Sequence, residues 1–87
     1  MIYKYILEER DINVLQLHEY FTILKVARQN DQICVWVKCN PRRKLIPITF
    51  RIFGTGNPMP EDEFLIYLDT VIMDYFVWHV FLKDKGE

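Results

Sequence analysis

Short runs of β-branched and aromatic residues, separated by clusters of polar residues, glycine and proline, make up nearly all of this sequence. Such runs are typical of β-strands, because branched and aromatic side chains pack well on a pleated surface. The clearest runs are Ile2–Leu7, Ile33–Cys39 and Leu45–Phe53. In the last run apolar and polar residues alternate from Ile48 to Ile52, which indicates a strand with one buried face.

We therefore expect a mainly β fold, a small antiparallel sandwich or partly open barrel of about five to seven strands, with at most a short helix near Pro60. A chain of 87 residues has room for one core, so residues 1–87 are expected to form a single domain. The side chains expected in the core are those of Val35, Val37, Ile48, Phe50, Ile52, Val77 and one face of the first strand.

Residues 61–85 are compatible with two different structures. Pro60 followed by three acidic residues is a typical helix start, which permits one helix from Glu61 to Lys85. The many β-branched and aromatic residues that follow favour strands instead. The preferred interpretation has four parts in chain order: a helical turn at Pro60–Phe64, a strand at Leu65–Ile72, a turn around Asp74 and a strand at Phe76–Leu82.

The two cysteines, Cys34 and Cys39, are five positions apart. On one strand an odd spacing places side chains on opposite faces, which disfavours a disulfide between them. There is no second cysteine pair to complete a zinc site. We expect two buried, reduced thiols in a cytoplasmic protein.

The longest apolar-rich stretch, Phe64 to Leu82, contains Asp69, Asp74 and His79. Charged and polar side chains are costly within a bilayer, so this stretch is not expected to span a membrane. No membrane partner is therefore predicted.

Charge is unevenly distributed although the formal net charge is only −1. Acidic residues are absent from Gln32 to Pro60, whereas this stretch contains the basic lip Arg42-Arg43-Lys44 and also Arg51. The basic lip could be a solvated hairpin tip, a docking surface for the acidic residues of a second copy, or an attachment site for a single strand of nucleic acid.

The segment Gly54-Thr55-Gly56-Asn57-Pro58 begins like a phosphate-binding loop. It lacks the third glycine, the following helix and the Gly-Lys-Ser/Thr sequence that such loops require. A tight turn after a strand is the favoured interpretation, and a loop whose amides bind a small anion is the alternative.

These observations define two sets of candidate site residues. The residues expected to bind a protein partner or an anion are Arg42, Arg43, Lys44, Arg51, Gly54, Thr55, Gly56 and Asn57. Six Phe, five Tyr and two Trp exceed what so small a core can bury, which predicts an aromatic interface. The interface candidates are Trp78, His79 and Phe81, in the expected final strand.

No catalytic or metal-binding pattern stands out. Cys34 with His18 or His79 would make a Cys–His pair, but no third residue is placed to orient it. The histidines and nearby aspartates lack the clustered spacing of metal ligands. We expect no enzyme activity, no metal and no cofactor; a small hydrolase is the least favoured alternative.

The runs Phe50–Pro58 and Phe76–Phe81, together with Ile2–Tyr5 and Ile33–Trp36, resemble an uncharacterised family of small proteins encoded by tailed phages. The resemblance covers nearly the whole chain. It implies two strands in the last third, an accessory role and expression in the cytoplasm of a bacterial host. It implies no catalytic residue.

The expected function is that of a small non-enzymatic phage-type accessory protein that binds a host protein and inhibits a defence or regulatory enzyme. The alternative is a module that binds single-stranded nucleic acid or a nucleotide through the basic lip. A homo-oligomer is a further expectation, because the surplus aromatic side chains need a covering surface.

Overall fold

The computed structural model describes residues 1–84, which form seven β-strands. The strands are β1 (Ile2–Leu7), β2 (Ile12–His18), β3 (Thr22–Gln29), β4 (Gln32–Lys38), β5 (Leu45–Gly54), β6 (Leu65–Met73) and β7 (Phe76–Lys83). The predicted mainly β fold is confirmed. Residues 1–84 contain no helix, so the helical turn expected at Pro60–Phe64 is wrong, as is a helix beginning at Glu61; Lys85 lies outside the described residues.

The strands form two antiparallel sheets that pack as a sandwich rather than a closed barrel. One sheet has the strand order β1-β4-β3, and the other has the order β2-β5-β7-β6. The shortest dimension of the molecule is 16 Å, which accommodates two sheets stacked about 10 Å apart. Along one side the sheets approach each other at β3 and β6, where Arg28 Nη2 lies 3.4 Å from Asp74 Oδ1.

The core lies between the inner faces of the two sheets. Val35 and Val37 from β4 meet Phe50 and its neighbours from β5, as the alternation in these strands predicts. The expectation for Val77 is wrong, because it is only half-buried. Ile52 pairs with Val80, so Val80 occupies the core and Val77, three residues away, projects from the outer face.

Two hairpin turns use residues in the left-handed conformation. Asn30 has a φ of 57° between β3 and β4, and Asp74 has a φ of 55° between β6 and β7. Asn and Asp accept this conformation more readily than most residues. Both turns fall where the polar residues of the sequence predict them.

Strand β3 contains a bulge at Leu24. Ile23 pairs with Val37 and Lys25 pairs with Trp36, which leaves Leu24 without an opposite residue. Simple alternation would place Ile23 and Val26 on opposite faces. The extra residue instead allows both to pack against the core, while Leu24 and Lys25 are exposed.

The connection between β5 and β6 crosses the sheet. Both strands are antiparallel to β7, which lies between them, so β5 and β6 run parallel to each other. The chain must therefore return along the sheet from Gly54 to Leu65. We call residues 55–64 the crossover; its Glu63 pairs with Arg51 on the outer face of β5.

Both cysteines are buried and free, as expected. None of residues 1–84 belongs to a helix that could cross a bilayer.

Candidate functional site

Strand β5 separates the two groups of predicted binding residues. The basic lip Arg42-Arg43-Lys44 precedes the strand, and the glycine turn Gly54–Asn57 begins at its last residue. A ten-residue strand is about 30 Å long at roughly 3.3 Å per residue. The basic lip and the glycine turn therefore lie at opposite ends of the sandwich and form two separate surfaces.

The glycine turn is held against the start of β7. Gly54 pairs with Trp78, the Thr55 amide donates to the Val77 carbonyl at 3.2 Å, and the Asn57 amide donates to the Gly54 carbonyl at 3.0 Å. A Cβ atom on Gly54 would lie 3.0 Å from Asn57 Nδ2 and 3.3 Å from Trp78 Cζ3. Glycine at this position therefore allows the indole to approach the turn closely.

Three aromatic side chains surround this turn. The Phe76 ring stacks on the Trp78 ring with centroids 5.5 Å apart and an interplanar angle of 15°. Tyr75 is 97% exposed and Phe76 is 58% exposed. We call Tyr75, Phe76, Trp78 and the glycine turn the aromatic tip; together they line a cleft of about 350 Å³.

The surroundings of the aromatic tip are acidic. The turns at this end of the sandwich contain five carboxylates and one arginine, which are Glu8, Glu9, Asp11, Asp31, Asp74 and Arg10, and Arg28 lies beside them near the end of β3. The indole Nε1 of Trp78 donates to Glu9 Oε1 at 3.1 Å. A ligand of the aromatic tip would therefore meet a rim of negative charge.

His79 fixes the glycine turn to the outer face of the four-stranded sheet. Its Nε2 lies 2.8 Å from Thr55 Oγ1 and its Nδ1 lies 3.0 Å from Thr70 Oγ1. The Tyr67 hydroxyl continues this chain, 2.6 Å from Thr70 Oγ1. Both ring nitrogens are engaged by hydroxyls, so the imidazole acts as a bridge between strands and turn.

Phe81 and Arg51 also lie on this outer face, and both are engaged within the fold. The Phe81 ring packs edge-on against Phe53 and Tyr67, at centroid distances of 5.8 and 5.6 Å. The Arg51 guanidinium lies 4.9 Å from the centre of the Phe53 ring and pairs with Glu63. Its charge is therefore used to hold the crossover.

At the opposite end, the basic lip is anchored to the turn between β2 and β3. The Nδ1 of His18 lies 2.7 Å from the Arg43 carbonyl oxygen, and Lys44 Nζ lies 3.8 Å from Glu19 Oε2. The Arg43 guanidinium lies 5.0 Å from the centre of the Tyr20 ring. Tyr20 is 80% exposed and has a φ of 61°, which is an unfavourable conformation for a bulky residue.

The candidate nucleophile Cys34 is completely buried, and the Gln32 carbonyl oxygen is 4.0 Å from its Sγ. The ring nitrogens of the two histidines face Thr55, Thr70 and the Arg43 carbonyl oxygen instead of this thiol. Over the described range, no group of three or more His, Cys, Asp or Glu residues is arranged to hold a metal ion.

The structure thus joins the glycine turn to Trp78 and His79, and it separates them from the basic lip. It adds Tyr75, Phe76 and Tyr20, which the sequence analysis did not select. The sequence did contain a signal for these residues, because each aromatic side chain lies within or beside a polar turn. An aromatic residue at such a position has no alternating apolar neighbours and is therefore expected to be exposed.

Comparison with known proteins gives a family without a described activity. No curated protein matches the chain, and no solved structure matches it. A family model does match, over residues 1–87. The chain belongs to this family, the domain of unknown function DUF7352.

Proposed function

We propose that this protein is a non-enzymatic binding module that inserts its aromatic tip into an apolar pocket of another protein. Large aromatic side chains supply much of the binding energy at protein interfaces, because they bury a large area with few rotatable bonds. The observation that carries the proposal is the exposure of Tyr75 and Phe76 beside the stacked Trp78.

The acidic turns around the aromatic tip define the chemistry of its partner. Fixed carboxylates such as Glu9 and Asp74 favour a pocket with a basic rim, and they accelerate its encounter with the tip. The carboxylates around the rings then attract the partner and orient it as it binds, while the rings supply most of the binding energy. The partner should therefore be a protein with a cationic cleft, such as one that acts on a polyanionic substrate.

The biological setting that we propose follows from the resemblance of Phe50–Pro58 and Phe76–Phe81 to proteins of tailed phages. In that setting the module is an accessory protein in the bacterial cytoplasm that blocks a host defence or regulatory enzyme. The exposed rings of Tyr75 and Phe76 are suited to occupying an apolar cleft of such an enzyme. The supporting features are the small size, the aromatic tip and the acidic rim.

The test is capture from a bacterial lysate followed by reconstitution. Wild-type protein, a Tyr75→Ala/Phe76→Ala variant and a Tyr20→Ala control are immobilised, and bound proteins are identified by mass spectrometry. A purified partner should then bind the tip variant at least about tenfold more weakly than the wild type, while the control retains its affinity. Repeated absence of capture, or capture that survives the tip substitutions, would contradict the proposal.

The same experiment addresses self-association. If the aromatic tip contacts a second copy of this chain, the solution mass will rise with concentration. The Tyr75→Ala/Phe76→Ala variant will then remain at the mass of one chain.

A second candidate function, binding of single-stranded nucleic acid at the basic lip, is favoured by Tyr20. An exposed ring held in an unfavourable backbone conformation against Arg43 of the basic lip is an arrangement that proteins retain at functional sites. Binding there should weaken as salt is added. It should be lost when the three basic residues are replaced by glutamine.

A further inference from the structure

The outer face of the three-stranded sheet presents a row of two lysines with a tryptophan between them. Lys4 of β1 and Lys25 of β3 are both paired with Trp36 of β4. Directly paired residues project from the same face of a sheet. Lys38, two residues after Trp36, therefore lies on this face as well. We call Lys4, Trp36, Lys25 and Lys38 the lysine face.

The side chains of the lysine face are accessible. All three lysines are exposed and Trp36 is partly exposed. Within residues 1–84 none of these lysines forms an ion pair; Lys4 donates a hydrogen bond to Gln29 Oε1 at 2.7 Å. The bulge at Leu24 contributes to this arrangement, because it brings Lys25 to the outer surface beside the indole.

All charged side chains on the strands of the three-stranded sheet are basic. β1, β3 and β4 contain no aspartate or glutamate. Their remaining cation, Arg28, contacts Asp31 and Asp74 at the end of the sheet away from Lys38. Uncompensated positive charge is therefore concentrated around Trp36 and Lys38. This is a local property, since the net charge of the whole chain is −1.

We infer that the lysine face binds single-stranded nucleic acid without strong sequence preference. One base would stack on the Trp36 indole, and the lysines on both sides would contact the adjoining phosphates. Neighbouring strands are about 4.8 Å apart, so Lys4 and Lys25 lie roughly 10 Å apart across the ring. A surface that combines fixed cations with an aromatic ring is complementary to a polyanion with flat, unpaired bases.

This site lies on a different sheet from the aromatic tip, and the inference does not depend on the proposed protein partner. It also differs from the basic lip, which lies beyond the end of β4. An experiment can therefore separate the three surfaces.

The test measures binding of a labelled oligothymidylate of about twelve nucleotides by fluorescence anisotropy, in about 20 mM salt and then at increasing concentrations. Neutralisation of three phosphates predicts a slope of roughly −2 for log K against log salt. A Lys4→Gln/Lys25→Gln/Lys38→Gln variant should bind more than about tenfold more weakly and with a smaller slope. A Trp36→Leu variant should bind about tenfold more weakly with an unchanged slope.

Arg42→Gln/Arg43→Gln/Lys44→Gln removes the same charge from the basic lip and decides between the two candidate nucleic-acid surfaces. Most of the affinity remains in this variant if the lysine face is the site, whereas loss of binding here, with the triple lysine variant still binding, assigns the oligonucleotide to the basic lip. A Trp78→Phe background provides a second measurement, because Trp36 is then the only fluorescent indole. Its emission should be quenched when the oligonucleotide is added. This signal requires no substitution in the lysine face, so it does not depend on whether the triple variant folds.

Four outcomes would overturn the inference. The first is an absence of binding in low salt, and the second is an affinity that the triple lysine variant retains although circular dichroism shows it folded. The third is Trp36 emission that does not change at saturation. The fourth is equal competition by polyglutamate, which would identify the lysine face as a surface for an acidic protein.

Discussion

Nη1 of Arg51 donates to both carboxylate oxygens of Glu63, and this contact attaches the crossover to the outer face of β5. The side chains are 13% and 21% exposed, so water screens the pair only partly. The Arg51 guanidinium also donates through Nε to the Asp11 carbonyl oxygen at 3.3 Å. One arginine thus connects the crossover, β5 and the turn that precedes β2.

Replacing Glu63 with glutamine should lower the free energy of unfolding by about 2–3 kcal/mol, because a largely buried guanidinium loses its charged partner. Urea denaturation monitored by circular dichroism would measure the change. Glu61→Gln, an exposed acid in the same crossover, should change stability by less than about 0.5 kcal/mol. Equal effects of the two substitutions would show that the ion pair does not hold the crossover.

Asn13 should be the most sensitive polar residue in the core. Its Oδ1 accepts from the Glu8 amide at 2.8 Å, and its Nδ2 donates to the Glu8 and Arg10 carbonyl oxygens at 3.0 and 3.3 Å. Asn13→Ala leaves these groups unsatisfied and should cost about 1–3 kcal/mol in urea denaturation. Asn40→Ala, at an exposed position where Oδ1 accepts from the Arg42 amide, should cost less. The opposite ranking would contradict this assignment.

Tyr20 should lower the free energy of unfolding relative to a residue that accepts a positive φ. Because its φ is 61°, Tyr20→Asn is expected to raise the free energy of unfolding by about 0.5–1 kcal/mol, and Tyr20→Val to lower it. Thermal and urea unfolding would rank the three proteins. The control is Tyr75→Asn, at an exposed tyrosine that does not have a positive φ. If Tyr20→Asn is no more stable than wild type, the backbone at this turn is not strained.

Gly54→Ala should perturb the aromatic tip. The added methyl group would lie 3.3 Å from Trp78 Cζ3 and 3.0 Å from Asn57 Nδ2, so at least one of these side chains must move. In a Trp36→Phe background the emission of Trp78 should shift, and binding to the partner of the aromatic tip should weaken.

The control is Gly56→Ala. A Cβ atom at this position meets no atom within 4 Å, but Gly56 has a φ of 90°. The substitution should lower stability by about 1 kcal/mol through backbone strain and leave the Trp78 emission nearly unchanged. Identical spectra for wild type and Gly54→Ala would contradict the close approach.

Stability should decrease in alkaline solution partly because of Tyr5. Burial raises the pKa of its hydroxyl above the ordinary value of 10.0, and Cys39 and Tyr3 raise it further. The unfolded chain then loses this proton at a lower pH than the folded chain, so the stabilisation is complete below about pH 10 and is lost as pH rises above it. Tyr5→Phe removes this titration, and urea midpoints of the two proteins should diverge above about pH 10. Parallel curves to about pH 11 would exclude the effect.

The strands could be predicted because their information is local. Alternation identifies Phe50 as a core residue, and the branched and aromatic residues after Phe64 favour two strands over a helix. The helical turn near Pro60 was mispredicted because proline followed by acids has the same local composition in a crossover as at a helix start. What decides between them is the parallel relation of β5 and β6, and that is a tertiary property.

The sites were harder to predict because they depend on which strands become neighbours. Gly54 and Trp78 are separated in the sequence, and no spacing rule indicates that they pair. Lys4, Trp36 and Lys25 come from three strands, and the bulge at Leu24 changes the register between two of them. The sequence does show where charges and rings occur, but the topology decides which of them share a surface.

The position of β7 also has a consequence for how the chain is made. Ribosomal synthesis delivers β5 and β6 before the strand that must lie between them. Until about residue 83 has emerged, β5 can pair with β2 alone, and its other edge remains open to unwanted partners. The four-stranded sheet should therefore be assembled late and in a single step, and nascent chains cut short within β7 should aggregate or be degraded.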